Sequence, residues 1–228
     1  AACGILGGLA ASLALRPAQA AALRTRAIPA TGEALPVIGL GTWQVFDVGG
    51  DPARRAPLRE TLAEFARAGG RVIDSSPMYG SSEAVVGELS AELNLQQKLF
   101  LATKVWTRGR EEGIRQIERS FSRLRAKRVD LMQVHNLMDI ATQTRTLADW
   151  KASGRVRYVG MTHYLASAYP EIERLLKTGR YDFLQINYSM AETESGERLL
   201  PLAQELGVAV IANRPFAEGA LFSRVRGK

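Results

Sequence analysis

The sequence predicts an α/β fold, a (β/α)8 TIM barrel with an N-terminal β-hairpin and about seven βα units present. Three observations predict it. Short, β-branched apolar runs alternate with helical patterns at the spacing of a βα unit, which implies a parallel sheet covered by helices. The runs are nearly continuous in apolar residues, as strands buried on both faces are. Polar residues stand at the ends of successive runs: Thr42, Asp74, Lys104, His135, Thr162, Gln185 and Asn213. In an open doubly wound sheet such residues would gather at one switch point, whereas in a barrel they converge from all round the rim.

Bulk composition narrows the chemistry. The 228 residues are 46% hydrophobic and 23% charged, enough for a sizeable core without staples. One cysteine rules out an internal disulfide framework, and with only two histidines a typical zinc site is not expected, so no metal is assigned. The net charge is +7. The densest basic run, RSFSRLRAKR at 119–128, carries Phe121 and Leu124 at helical spacing, so it reads as the solvated face of an amphipathic helix. No nucleic acid partner is expected.

In chain order, residues 1–22 come first. AACGILGGLAASLAL is apolar but shorter than the ~20 residues that span a bilayer, and Ala18-Gln19-Ala20 fits a small-residue cleavage site. They read as a signal-peptide remnant, with export to the periplasm (a twin-arginine route among the options) and a cytoplasmic chain as the alternative. No integral membrane span is expected in the mature chain. Over 23–36, ATGE between two short apolar segments predicts a hairpin turn. Strands follow at PVIGL (36–40), RVID (71–74), LFLATK (99–104), VDLMQVH (129–135), VRYVGM (156–161), FLQIN (183–187) and VAVIA (208–212). Helical periodicity fills the intervals at 59–69, 82–93, 111–124, 146–154, 171–179 and 195–207, the first ending at Gly69-Gly70 as a C-cap. The barrel is assigned to 23–228 and is expected to stop short of its eighth strand.

Asp74, Tyr79, Lys104 and His135 form the candidate constellation. Neighbouring barrel strands would bring them to one mouth. An acid emerging from a buried strand needs a partner, and Lys104 supplies one. A free tyrosine titrates near 10. An ammonium at ~4 Å, with an effective dielectric of ~20, favours the phenolate by ~4 kcal/mol, up to ~3 pKa units before desolvation and Asp74 oppose it. His135 would orient a substrate oxygen. Together the four would protonate a carbonyl oxygen as it gains negative charge, with a nicotinamide completing the reduction.

The stretches LPVIGLGTW, VIDSSPMYGSSEAVVG, LFLATKVW, VDLMQVH, VRYVGMTH and FLQINY, in that order, resemble the aldo-keto reductases over about residues 28–228. The resemblance implies Tyr79 as general acid, tuned by Lys104 and Asp74, with His135 orienting the carbonyl of a small substrate. It implies NADP(H), with NAD(H) as the alternative. Gly41, Thr42 and Trp43 fall where the family lines nicotinamide and substrate, and Trp106 matches a pocket-wall aromatic. Thr162 and Gln185 match the carboxamide-binding positions, with His163 where the family usually has asparagine. In IANRPF, Asn213 replaces the family's stacking aromatic, Arg214 is placed toward the pyrophosphate, and Phe216 joins the cofactor set. Two other functions stay open at this point. One is a nicotinamide-binding redox sensor with little turnover; the other is a lyase using Lys104 as a Schiff-base nucleophile, which Asp74 disfavours.

Overall fold

A computed structural model describes residues 23–226. The expected signal remnant at 1–22 lies outside the described residues. Strands β1 (Thr25–Ala27) and β2 (Ala34–Pro36) form the expected antiparallel hairpin. Its turn is closed by the Ile28 N–H donating to the Glu33 carbonyl at 2.8 Å. Seven parallel strands follow in unbroken sequence order: β3 (Gly39–Gly41), β4 (Val72–Asp74), β5 (Phe100–Val105), β6 (Val129–His135), β7 (Val156–His163), β8 (Phe183–Asn187) and β9 (Ala209–Asn213). Helices α1 (Pro52–Arg67), α2 (Ser82–Glu92), α3 (Arg110–Arg123), α4 (Ile140–Ala152), α5 (Tyr169–Leu176) and α6 (Ser195–Glu205) connect them, and α7 (Ala220–Val225) follows β9. The sheet curls as part of a (β/α)8 architecture, with β3 and β9 as its edges among the described residues.

Three elements differ from the sequence expectation. PVIGL is not one strand: Pro36 ends β2, and only Gly39 and Leu40 enter β3. Helix α1 begins at Pro52 rather than at 59. Asp51 caps it by accepting from the Ala53 and Arg54 N–H groups, and Pro52 sits where a missing N–H costs nothing. Pro57 is carried inside the helix. Helix α4 starts at Ile140, six residues before its apolar pattern becomes regular.

Strand register positions the site. Side chains alternate across each strand, so the paired positions Asp74–Ala102, Lys104–Gln133, Gln133–Gly160, His135–Thr162 and Thr162–Gln185 share the inner face. Nearer the strand starts, that face is apolar. Val72, Phe100, Leu131, Tyr158 and Phe183 pack there, closed from below by Ile28 and Leu35 of the hairpin. Nearer the strand ends it is polar. The opposite face of the strands, with Ile73, Leu101, Val105, Val134 and Met161, joins the larger core beneath the helices. Gly160 leaves room at its crossing point, since a Cβ there would sit a tight 3.1 Å from Gln133 Cγ and the Phe183 backbone carbonyl.

The hairpin is latched as well as packed. Glu33 pairs with Arg71 and Arg157, and Arg157 reaches Asp130 at 2.8 Å. The Tyr158 hydroxyl lies 2.7 Å from Thr31 Oγ1 and 3.1 Å from Glu33 Oε2.

Candidate active site

Lys104 is only 1% exposed, and it is fully engaged. Its Nζ donates to both carboxylate oxygens of Asp74 at 2.9 Å and to the Ser75 carbonyl at 2.7 Å. The same ammonium stands 5.1 Å from the centre of the Tyr79 ring. The His135 ring meets Tyr79 edge-on with centres 6.2 Å apart, and the centre of the Trp106 ring lies 6.5 Å from that of His135. The four residues of the constellation therefore gather at one mouth, on the ends of β4, β5 and β6 and in the turn after β4.

Local structure holds Tyr79 there. Its N–H donates to the Ser76 carbonyl at 3.0 Å, and its own carbonyl accepts from Ser82 N–H at the start of α2. Gly80 follows at φ +58°, and a Cβ on it would fall 2.3 Å from the Asp47 carboxylate. That carboxylate in turn accepts from the Ser81 N–H and hydroxyl at 2.8 Å. Thus the β3–α1 loop clamps the tyrosine turn.

The electrostatics correct one expectation. Burial pushes the Tyr79 phenol up; Lys104 pulls it down, Asp74 pushes it up again, and the net direction is above the ordinary tyrosine range. Desolvation is the largest cause, and Asp74 opposes part of the field that Lys104 exerts. Burial is also the main cause that holds His135 down, to about 3, with the charges of Lys104 and His163 assisting. The phenol is loaded with its proton at neutral pH, and the imidazole is neutral.

The remaining predicted residues divide. Trp43 stands at the rim, half exposed, and the Arg214 guanidinium lies 5.8 Å from its ring and 5.6 Å from that of Tyr164. Arg214 also pairs with Glu218 at 3.2 Å, and its charge is felt at the Tyr79 phenol. Gly41 ends β3 beside Asp74. The Thr42 side chain is fully buried, and its hydroxyl is within 3.0 Å of the Asp74 carbonyl and Ser75 Oγ, so it braces the Asp74 segment rather than facing the mouth. Thr162 and Gln185 are buried on the inner face. His163 accepts from the Leu165 N–H at Nδ1, which leaves Nε2 as a donor, and burial holds this ring down too. Asn213 ends β9 opposite Asn187. Phe216 is separate from the constellation: it packs on Phe222 at 4.9 Å, in the segment after β9.

Several site residues were not among those predicted. Ser75 and Ser76 stand directly after β4, both buried. Gln133 donates through Nε2 to Gln185 Oε1 at 2.6 Å, and Asn187 donates to the Tyr164 carbonyl at 3.0 Å. A lone glutamine inside the apolar run VDLMQVH was the available signal for Gln133. Two buried acceptors, Gln133 Oε1 and Asn187 Oδ1, have no partner among the described residues. Backbone strain marks the same rim. Gln44, Asn136, Leu137 and Arg214 all have φ between 51° and 63°, each within two residues of Trp43, His135 or Asn213.

Comparison with known proteins points one way. A family model described as "Aldo/keto reductase family" matches residues 37–228. The chain is 29% identical over 217 residues to an "NADH-specific methylglyoxal reductase" of Escherichia coli (strain K12), covering 81% of this chain and 64% of the relative. It is 30% identical over 190 residues to "Methylglyoxal reductase YeaE" of the same organism, covering 81% of this chain and 65% of the relative. The chain thus spans just under two thirds of the length of each. Among solved structures, an aldo-keto reductase from Klebsiella pneumoniae in complex with NADPH superposes with a TM-score of 0.73 at 25% identity, over 86% of this chain and 68% of that one. A thermostable aldo-keto reductase bound to the inhibitor epalrestat gives 0.75 at 23% identity, over 86% and 74%.

Proposed function

We propose a function from one premise: the chain belongs to the aldo/keto reductase family. It reduces a small aldehyde or ketone to the alcohol, with Tyr79 donating the proton to the carbonyl oxygen. The observation that carries this reading is the Lys104 ammonium, fixed by Asp74 and Ser75 and 5.1 Å from the Tyr79 ring, beside a neutral His135. The methylglyoxal reductase relatives favour short, polar carbonyl compounds as the substrate class.

The residues present fit a nicotinamide. The unpartnered buried acceptors Gln133 Oε1 and Asn187 Oδ1 suit the N–H groups of a carboxamide. Thr162, His163 and Gln185 beside them would hold that amide, and Trp43, Asn213 and Arg214 would flank the ring and its phosphates. When bound, a reduced nicotinamide supplies the hydride that goes to the carbonyl carbon. NADPH in the Klebsiella structure and NADH in the name of the E. coli relative make both forms worth assaying.

Chemistry at the oxygen belongs to the chain. His135 orients the carbonyl by donating from one ring nitrogen, a bond that strengthens as the oxygen becomes negative. The Tyr79 proton then moves to that oxygen, and the Lys104 ammonium steadies the phenolate left behind. A phenol held above its ordinary range stays protonated until an alkoxide, a far stronger base, draws the proton away.

Purified protein should consume NADPH or NADH with methylglyoxal and other short aldehydes. Tyr79→Phe should lower kcat by at least ~100-fold, the lower end of general-acid contributions. Turnover undiminished in that variant removes the phenol as donor. The small-residue site at Ala18-Gln19-Ala20 supports export of the mature chain; a tagged protein recovered only from cytoplasmic fractions would count against it.

A further inference from the structure

We propose that Ser76 is a positioning residue that selects the tautomer of His135, holding Nδ1 bare and Nε2 protonated, so that the imidazole presents a hydrogen-bond donor at the mouth. This rests on the carbonyl-reductase reading for its consequence, but not for its geometry.

Hydrogen counting at the buried Ser76 hydroxyl distinguishes the two tautomers. Ser76 is 0% exposed, and its Oγ has two partners among the described residues. It accepts from the Met78 N–H at 3.3 Å, and it lies 3.3 Å from His135 Nδ1. Histidine held near 3 is neutral at working pH, so one ring nitrogen carries a hydrogen and the other is bare. If Nδ1 carried it, Ser76 Oγ would accept twice, and its own buried hydrogen would point at nothing. If Nδ1 is bare, the hydroxyl donates to it, accepts from Met78, and both groups are satisfied. An unmade bond at a buried donor is costly, so the second arrangement prevails. Nε2 then carries the ring's hydrogen and has no partner among the described residues. It is the nitrogen available to a ligand.

The same residue also ties the two halves of the site. Its backbone carbonyl accepts the Tyr79 N–H at 3.0 Å, so the turn that carries the proton donor and the hydroxyl that orients the imidazole are one residue. Ser76 connects the end of β4 to the end of β6 across the mouth. With a bare Nε2 facing the carbonyl oxygen, the ring would repel the charge that develops there; with Nε2–H it stabilises that charge.

Nitrogen-15 NMR of histidine-labelled full chain at neutral pH is the test. The sequence has two histidines, so two sets of ring signals are assigned, with His163→Asn separating them. His135 is expected with Nε2 protonated and Nδ1 bare. Ser76→Ala should give a mixture of tautomers and lower kcat by roughly tenfold with KM little changed, the loss of about one buried hydrogen bond. Ser76→Thr, which keeps the hydroxyl, should restore the wild-type ring signals. A wild-type His135 with its hydrogen on Nδ1 overturns the proposal outright, even if no variant folds. So does Ser76→Ala with unchanged ring signals, whatever its melting temperature, because that is the behaviour of a purely structural serine. Turnover is read separately. The expected tautomer in a protein that reduces no carbonyl would sustain the positioning role and defeat the reductase reading, while the opposite pair of results would do the reverse.

Discussion

Lys104 shows how one buried charge sets the behaviour of its neighbours. Its buried ammonium has three acceptors among the described residues, and two of them are the carboxylate oxygens of one residue. Asp74→Asn should therefore destabilise the fold by about 3–5 kcal/mol, the usual result of stranding one member of a buried pair, read by chemical denaturation. It should also move the basic limb of kcat/KM to lower pH, because the substitution removes one of the groups that push the Tyr79 phenol up. In the wild type that limb should lie above pH 10, since the phenol is held above its ordinary 10.0. His135 makes a further pH prediction. Its folded value is about 3 against 6.5, so between those pH values the unfolded chain binds the extra proton. Stability should thus rise with pH across that window and be complete above it, and His135→Gln should flatten the slope. Asp74, Lys104 and His135 stood out in the sequence because each is a polar group at the end of an apolar run, and Tyr79 because it follows Asp74 in a turn. The direction of the Tyr79 shift was not, because it depends on how much water three side chains exclude, and spacing along a chain does not report that. Ser76 was hidden for a similar reason: a serine in a turn looks alike whether or not an imidazole stands over it.

Elements tell a comparable story at longer range. The β strands were found by their apolar runs, and the helices by their periodicity, but both α1 and α4 begin earlier than their patterns do. Helix α1 is started by a cap, not by hydrophobic spacing. Asp51→Ala removes the acceptor of the Ala53 and Arg54 N–H groups and should cost about 1 kcal/mol, with urea midpoints as the measurement. The first strand was misplaced because PVIGL is divided between two sheets, Pro36 in the hairpin and Gly39–Leu40 in the barrel. Between strand and helix, the turn at Gly80 is tightly constrained. Gly80→Ala places a Cβ at φ +58° against the Asp47 carboxylate. The left-handed conformation alone costs roughly 1–2 kcal/mol, and relief of the clash would shift Tyr79. Activity should fall further than stability, which steady-state kinetics beside a thermal melt would show.

Across the whole molecule, the inner surface of the sheet changes character from one end to the other. Its floor is aromatic and aliphatic, sealed by Ile28 and Leu35; its mouth is polar. The latch at the floor should act on stability. Burial raises the Glu33 carboxyl, but bonding and charge from Arg157, with help from Tyr158 and Arg71, lower it below the ordinary range on balance. A depressed carboxyl stabilises above its unfolded value and loses that stabilisation as pH falls through the folded one. Glu33→Gln should therefore blunt acid unfolding below about pH 4.5 while leaving kcat near the wild-type value, as the latch stands at the end of the barrel away from Tyr79. Left-handed backbone at Gln44, Asn136, Leu137 and Arg214 has a consequence of its own. Amide protons around these four should trade with deuterium sooner than those of Phe100 or Leu131, and on gentle heating the proposed carbonyl turnover should cease while the far-ultraviolet spectrum still looks native.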